Sequence, residues 1–256
     1  MPFKIAAMLL FPGLLLSMTT QASLLARDLN NDQIIDAYYD SVLDITWLKD
    51  ANLAASNSFG VSGITQYVGV MSWGTATQWI AAMNAYEYLG HNEWRLAKID
   101  PIGGGGGYSM CCSGFDGRFD FGYNITSQKS ELAYMFYVNL ANLGLFDVNG
   151  NVQSGHGSID DTLNPFDDNL FDDIRWGWYW SGSQNFANGS IMVFDMANGA
   201  QTNQLAGGPN FVWAVHQGDI GFSIPVPEPN VYTLILLGLG LLIWVVRRNN
   251  ISAIRT

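Results

Sequence analysis

The chain has 256 residues, 22 acidic against 11 basic side chains, a formal net charge of −11 and 48% hydrophobic residues. So few Lys and Arg exclude nucleic acid as a partner, because phosphate binding needs concentrated positive charge. Two adjacent cysteines, Cys111 and Cys112, and three scattered histidines, His91, His156 and His216, make neither a disulfide framework nor a zinc set.

In chain order, Lys4 precedes an apolar stretch over 5–16 and a small polar segment through Thr20, Gln21 and Ala22, the layout of a secretory signal cleaved near Ala22. Residues 23–36 read as an acidic linker or a calcium loop. Asp28, Asn30, Asp32 and Asp36 occupy positions 1, 3, 5 and 9 of a loop in which alternating oxygen side chains converge on Ca2+. That loop is incomplete. Gln33 stands where a sharp turn wants Gly, position 12 is Tyr39, and only Asp40 is near enough to close it.

β-formers at 37–39 and 42–48 predict strands, and the Ser, Asn and Gly punctuation of 51–69 predicts a loop. Ala76, Trp79, Ile80 and Met83 recur at helical spacing within a helix predicted over 75–89, which Gly90 ends. Residues 94–96 read as a short buried strand. Over 101–127 the chain is a Gly-heavy connection, in which Gly103 to Gly107 lack the Lys-Ser or Lys-Thr of a phosphate loop. A second helix is predicted over 130–143, with Leu132, Met135, Phe136, Asn139, Leu140 and Leu143 on or near one face and Gly144 at its end.

An acidic loop follows, carrying Asp160, Asp161, Asp167, Asp168, Asp172 and Asp173 as oxygen ligands or as solvated surface. Trp176, Trp178 and Trp180 alternate, so a strand would place all three on one face, as a sugar-stacking platform or as core. Strands are predicted at 176–181, 190–195, 200–204 and 211–216. The order implies an α+β domain with two helices and antiparallel strands, whose first and last strands pair.

Beyond it, Pro225, Pro227, Glu228 and Pro229 lead into an uncharged apolar run over 231–246, which stops at Arg247 and Arg248. The run is slightly short of the roughly 20 residues a membrane-crossing helix needs, a mismatch that tilt or thinning absorbs. This three-part tail resembles the PEP-CTERM sorting signal of Gram-negative bacteria. The resemblance implies export through the Sec translocon, processing by an exosortase, and residence in the cell envelope, on the cell surface or in the extracellular matrix. The helix is then a transient handle in the inner membrane, with a permanent anchor as the alternative. The chain divides into a signal (1–22), the acidic segment (23–36), a domain (37–224) and the tail (225–256).

Asp44-Ile45-Thr46-Trp47-Leu48, Trp94-Arg95-Leu96, Glu131-Leu132, Tyr179-Trp180-Ser181 and Phe211-Val212-Trp213-Ala214-Val215 resemble successive landmarks of the Lcl C-terminal-like domain. That resemblance implies a C-type-lectin-like fold and binding of sulfated or acidic polysaccharides. Two departures bear on it: Ala97 stands where the family commonly has Pro, and His216-Gln217 replaces a usual Arg. Losing that cation on an acidic chain favours neutral glycans or a calcium-bridged acidic polymer as the ligand. Glu228-Pro229-Asn230 spells a sugar-binding tripeptide but belongs to the tail. No Gly-x-Ser-x-Gly elbow or His-Glu-x-x-His occurs. The expected function is a non-catalytic, exported carbohydrate-binding module; the alternatives are a purely structural surface protein and a polysaccharide hydrolase with two facing carboxyl groups about 5–10 Å apart.

Overall fold

The structure, a computed structural model, describes residues 24–103, 107–109, 114–157, 170–185 and 189–223. The predicted signal, the tail with Pro227, Glu228, Pro229, Arg247 and Arg248, the cysteines, and Asp160, Asp161, Asp167 and Asp168 lie outside the described residues. Among the described residues no helix is long and apolar enough to cross a membrane, and the apolar run over 231–246 is outside them.

Strand alternation places two cores on opposite faces of the sheets. The elements are β1 (Leu24–Asp28), β2 (Ala37–Asp40), β3 (Ile45–Leu48), α1 (Trp73–Ala85), β4 (Arg95–Leu96), α2 (Glu131–Tyr134), β5 (Trp178–Asn185), β6 (Ser190–Asp195), β7 (Gln201–Gln204), β8 (Ala214–Gln217) and β9 (Phe222–Ser223). They form an α+β architecture with a six-stranded sheet in the order β4-β8-β3-β2-β1-β9 and a three-stranded sheet in the order β5-β6-β7. All these pairings are antiparallel.

Ile45 and Trp47 of β3 enter one core while Leu48 enters the other; Tyr179 and Trp180 of β5 divide in the same way. In β6, Met192 and Phe194 face the first core and Ile191 and Val193 the second. A period of two sends successive side chains to opposite faces, so a strand covered on both sides reads as continuously apolar. Trp213 closes the first core edge-on against Trp47, with ring centroids 4.8 Å apart, and its Nε1 donates to the Leu48 carbonyl at 2.7 Å.

Helix α1 covers the second core through Ala76, Trp79, Ile80 and Met83. Its amino end is capped by Ser72, whose Oγ accepts from the Thr75 amide. The helix stops before the predicted residue 89, because Glu87 (φ 46°) and Leu89 (φ 55°) are left-handed. The second helix is shorter than its periodicity predicts. After α2 the chain makes a single π-helical stretch, Met135–Asn139, then reverses at Ala141 (φ 53°), and Leu143 bridges Gly157 instead of extending a helix.

Residues 24–28 are a strand, which corrects the reading of 23–36 as a linker. Strand β1 pairs with β2 from Leu24↔Asp40 to Arg27↔Ala37, and with β9 through Arg27↔Ser223 and Asp28↔Phe222. The strands expected first and last, observed as β2 and β8, do not pair: β3 lies between them, and the pair that joins the two ends of the fold is made by β1 and β9, neither of which the sequence predicts. Arg27 fixes it: its guanidinium donates to both carboxylate oxygens of Asp219, at 2.6 and 2.8 Å.

Candidate functional site

The loop between β1 and β2 brings Asp28, Asp32 and Asp36 together, with one carboxylate oxygen from each within 4.8 Å of the others. The backbone builds this cluster. Both oxygens of the buried Asp28 carboxylate accept amides: one from Asn31 (2.6 Å) and Asp32 (3.2 Å), the other from Gln33 (2.7 Å). The Asn30 side-chain oxygen accepts from the Asp32 amide and the Asp32 carboxylate from the Ile34 amide, local turns of the kind Asn and Asp favour. Asp36 returns to the start of the loop, accepting from the Leu29 amide at 2.9 Å.

Of the four predicted ligands, Asp28, Asp32 and Asp36 therefore converge; Asn30 donates through its amide nitrogen to Asp32 at 3.0 Å. Burial pushes the Asp36 carboxyl up, and the nearby charges of Asp32 and Asp28 push in the same direction. An oxygen-only set with mutual repulsion suits a hard divalent cation. Gln33, expected to obstruct the turn, adopts the left-handed conformation itself, at φ 70°. Asp40, the expected closing carboxylate, is fully buried elsewhere, where it accepts from the amides of Val42 and Leu43 and from the Asn139 side chain.

The tryptophan triplet does not lie on one strand face. Trp176 precedes β5 and is 62% exposed, Trp178 packs half-buried against the second core, and Trp180 lies within that core, donating to the Met71 carbonyl. The platform reading survives for Trp176 alone. Asp172 and Asp173, at the end of the acidic loop, are engaged: Asp172 pairs with Lys49 at 2.6 Å, and Asp173 accepts from Asn52 at 3.0 Å and pairs with Arg175.

Sequence reasoning missed a second region. Tyr86 and Tyr67, 67% and 80% exposed, stand on two grooves that flank residues 56–58. The sequence carries no signal for it: Phe59 lies before α1 and Tyr86 and Tyr88 after it, and loops have no periodicity that would bring such rings together. It missed, too, the carboxylate of Asp120, fully buried, which accepts from Ile102 and Ser109 and so organises the Gly-rich connection.

Nothing among curated proteins or solved structures matches the chain. Residues 225–249 match the PEP-CTERM protein-sorting motif. The match takes in Pro225, Pro227, Glu228, Pro229, the apolar run and both arginines, the residues on which the sequence resemblance rests. The chain thus carries a signal for export and sorting by an exosortase system, which associates it with the cell envelope.

Proposed function

We propose that this envelope protein is a non-catalytic module that binds extracellular polysaccharide and takes Ca2+ in the loop between β1 and β2. The observation that carries the reading is the convergence of Asp28, Asp32 and Asp36 within 4.8 Å on an exported domain. Between residues 23 and 224 lie 21 acidic and only 7 basic residues, so an anionic polymer would meet repulsion unless a cation bridged it. Two antiparallel sheets, two short helices and the pairing of the first strand with the last support the C-type-lectin-like reading. A transient membrane handle over 231–246 fits the sorting motif.

The test is a glycan array probed with the full-length protein in detergent, once with Ca2+ and once with chelator. Retention that falls on chelation is expected; equal retention in both arms would remove the calcium role, and retention on no glycan would remove the binding function. A second reading, a structural surface protein without a ligand, is favoured by one observation: Trp47, Trp79, Trp94, Trp180 and Trp213 are fully buried and serve the cores.

A further inference from the structure

We propose that the face formed by residues 54–67 and 86–89 is a binding trough for a linear, uncharged polysaccharide, with Tyr86 and Tyr67 as its two stacking rings. The inference rests on the carbohydrate-binding reading above, but seats the ligand on residues other than those of the carboxylate loop and Trp176.

Two adjoining grooves make the trough. One, of about 660 Å³, has Ser62, Gln66 and Tyr67 in its wall; the other, of about 540 Å³, has Asn57, Tyr86 and Tyr88. Both lie within the range of roughly 300–1,000 Å³ typical of ligand sites. Ser56 and Ser58 line both, so the grooves meet there, and each has an exposed tyrosine in its wall. Two compartments with a ring in each suit a chain of several sugars better than a single one.

The lining chemistry selects the ligand. Among the described residues neither wall contains Lys, Arg or His, and Glu87 is the only acid that lines them. Hydroxyls and amides supply donors and acceptors in both directions, which is what sugar hydroxyls need. Exposed tyrosine adds apolar area with a polar edge, to which the C–H face of a pyranose ring can pack. A uronic or sulfated polymer would find no cation here and would face Glu87 on a chain of net charge −11.

Of the two rings, Tyr86 is also held in place before any ligand arrives. Phe59 contacts Tyr86 at 5.7 Å, Tyr88 at 5.3 Å and the buried Trp79 at 5.6 Å between centroids, so the exposed Tyr86 is braced from the core outward. Trp79 is itself tied to the rim, donating through Nε1 to the Asn57 carbonyl at 2.8 Å. Four bulky residues on the two walls have left-handed backbone: Phe59 (φ 48°), Tyr67 (64°), Glu87 (46°) and Leu89 (55°). Such conformations cost of order 1–3 kcal/mol each and concentrate where a binding shape is held. A braced aromatic loses little freedom on binding, so its contact area is converted to affinity efficiently.

The experiment uses the full-length protein in detergent, with Ca2+ throughout, on an array of neutral gluco-, galacto- and manno-oligosaccharides and of uronate oligomers. Wild type, Tyr86→Ala, Tyr86→Phe, Tyr67→Ala and Trp176→Ala are compared, with near-ultraviolet circular dichroism as the fold control. The expected result is retention on neutral oligomers, weakened about three- to tenfold by each Tyr→Ala change and preserved in Tyr86→Phe and Trp176→Ala. Retention unaffected by either Tyr→Ala change, or lost only in Trp176→Ala, overturns the trough and leaves the carbohydrate reading standing. Retention on uronates alone overturns the neutral ligand. Retention on nothing overturns both readings.

Discussion

Two acidic regions of this domain differ in what the fold does with their charge. Around the end of β3, Asp172 and Asp173 are answered by Lys49, Arg175 and Asn52, and deeper in the structure Glu131 takes both Arg95 nitrogens at 2.8 Å and the Lys98 amide at 2.6 Å. In the loop between β1 and β2, three carboxylates sit within 4.8 Å, and among the described residues no Lys or Arg pairs with them. Their partners are backbone amides and the Asn30 side-chain amide, which position the oxygens without neutralising them. Local acid density is therefore a poor guide to a cation site; what separates the regions is whether the fold brings its own positive charge.

The largest expected effect breaks the paired side. Glu131→Ala strips the partly buried Arg95 guanidinium of its carboxylate, leaving it only the Leu96 carbonyl and the Gln217 side chain, and urea unfolding should show a loss of about 3 kcal/mol; a loss below about 1 kcal/mol would make that pair dispensable. Next comes the unpaired side. If the three carboxylates bind Ca2+, a concentration about a hundred times its Kd adds about 2.7 kcal/mol, which for a domain of this size raises Tm by roughly 5–10 °C. An unchanged Tm would erase the distinction between the two regions.

Asp36→Asn sharpens the same point through pH. Burial, aided by Asp32 and Asp28, raises the folded carboxyl above its unfolded value, so the folded state holds the proton more tightly. Stability is then greatest below the unfolded value and declines as pH rises from there through the raised folded one. In chelator the variant should lack this decline and melt slightly higher than wild type near neutrality; in Ca2+ it should lose the gain in Tm. Smallest is Asp172→Asn. This carboxylate is 58% exposed, so losing its Lys49 contact should cost less than about 1 kcal/mol by urea unfolding.

Local patterns were readable where one element decides its own structure. Ala76, Trp79, Ile80 and Met83 announce α1, and the spacing of Asp28, Asp32 and Asp36 announces their convergence. What the pattern hides is long-range. Leu24–Asp28 has no alternation that marks a strand; it becomes one by pairing with β2, and β9 and an Arg27–Asp219 pair 192 residues apart close its other edge. Asp40 looks like a ligand by spacing, yet Asn139, 99 residues away, claims it for the interior. The second helix ends at Asn139, before the chain reverses at Ala141 and Leu143 bridges Gly157, and nothing within the helical repeat foretells that bridge. Trp178 and Trp180 share a face as alternation requires, but that this face packs with α1 and β6 while Tyr179 enters the other core is decided by distant elements.

The pairing of β9 with β1 also has a mechanical meaning. The chain leaves the described fold at Ser223, on a two-residue strand held by two register pairs, beside the strand through which it entered. Entry and exit lie at the same end of this antiparallel pair, so tension between them opens the rungs one at a time instead of shearing them together. Tugging on a tethered copy would release β9 and then strain Arg27 against Asp219, lengthening the attachment by a few residues while both cores stay shut. In optical tweezers this should register as a small, low-force extension before the main rupture, occurring at still lower force in Arg27→Ala. The domain would hang from its attachment like a load on a short extensible leash.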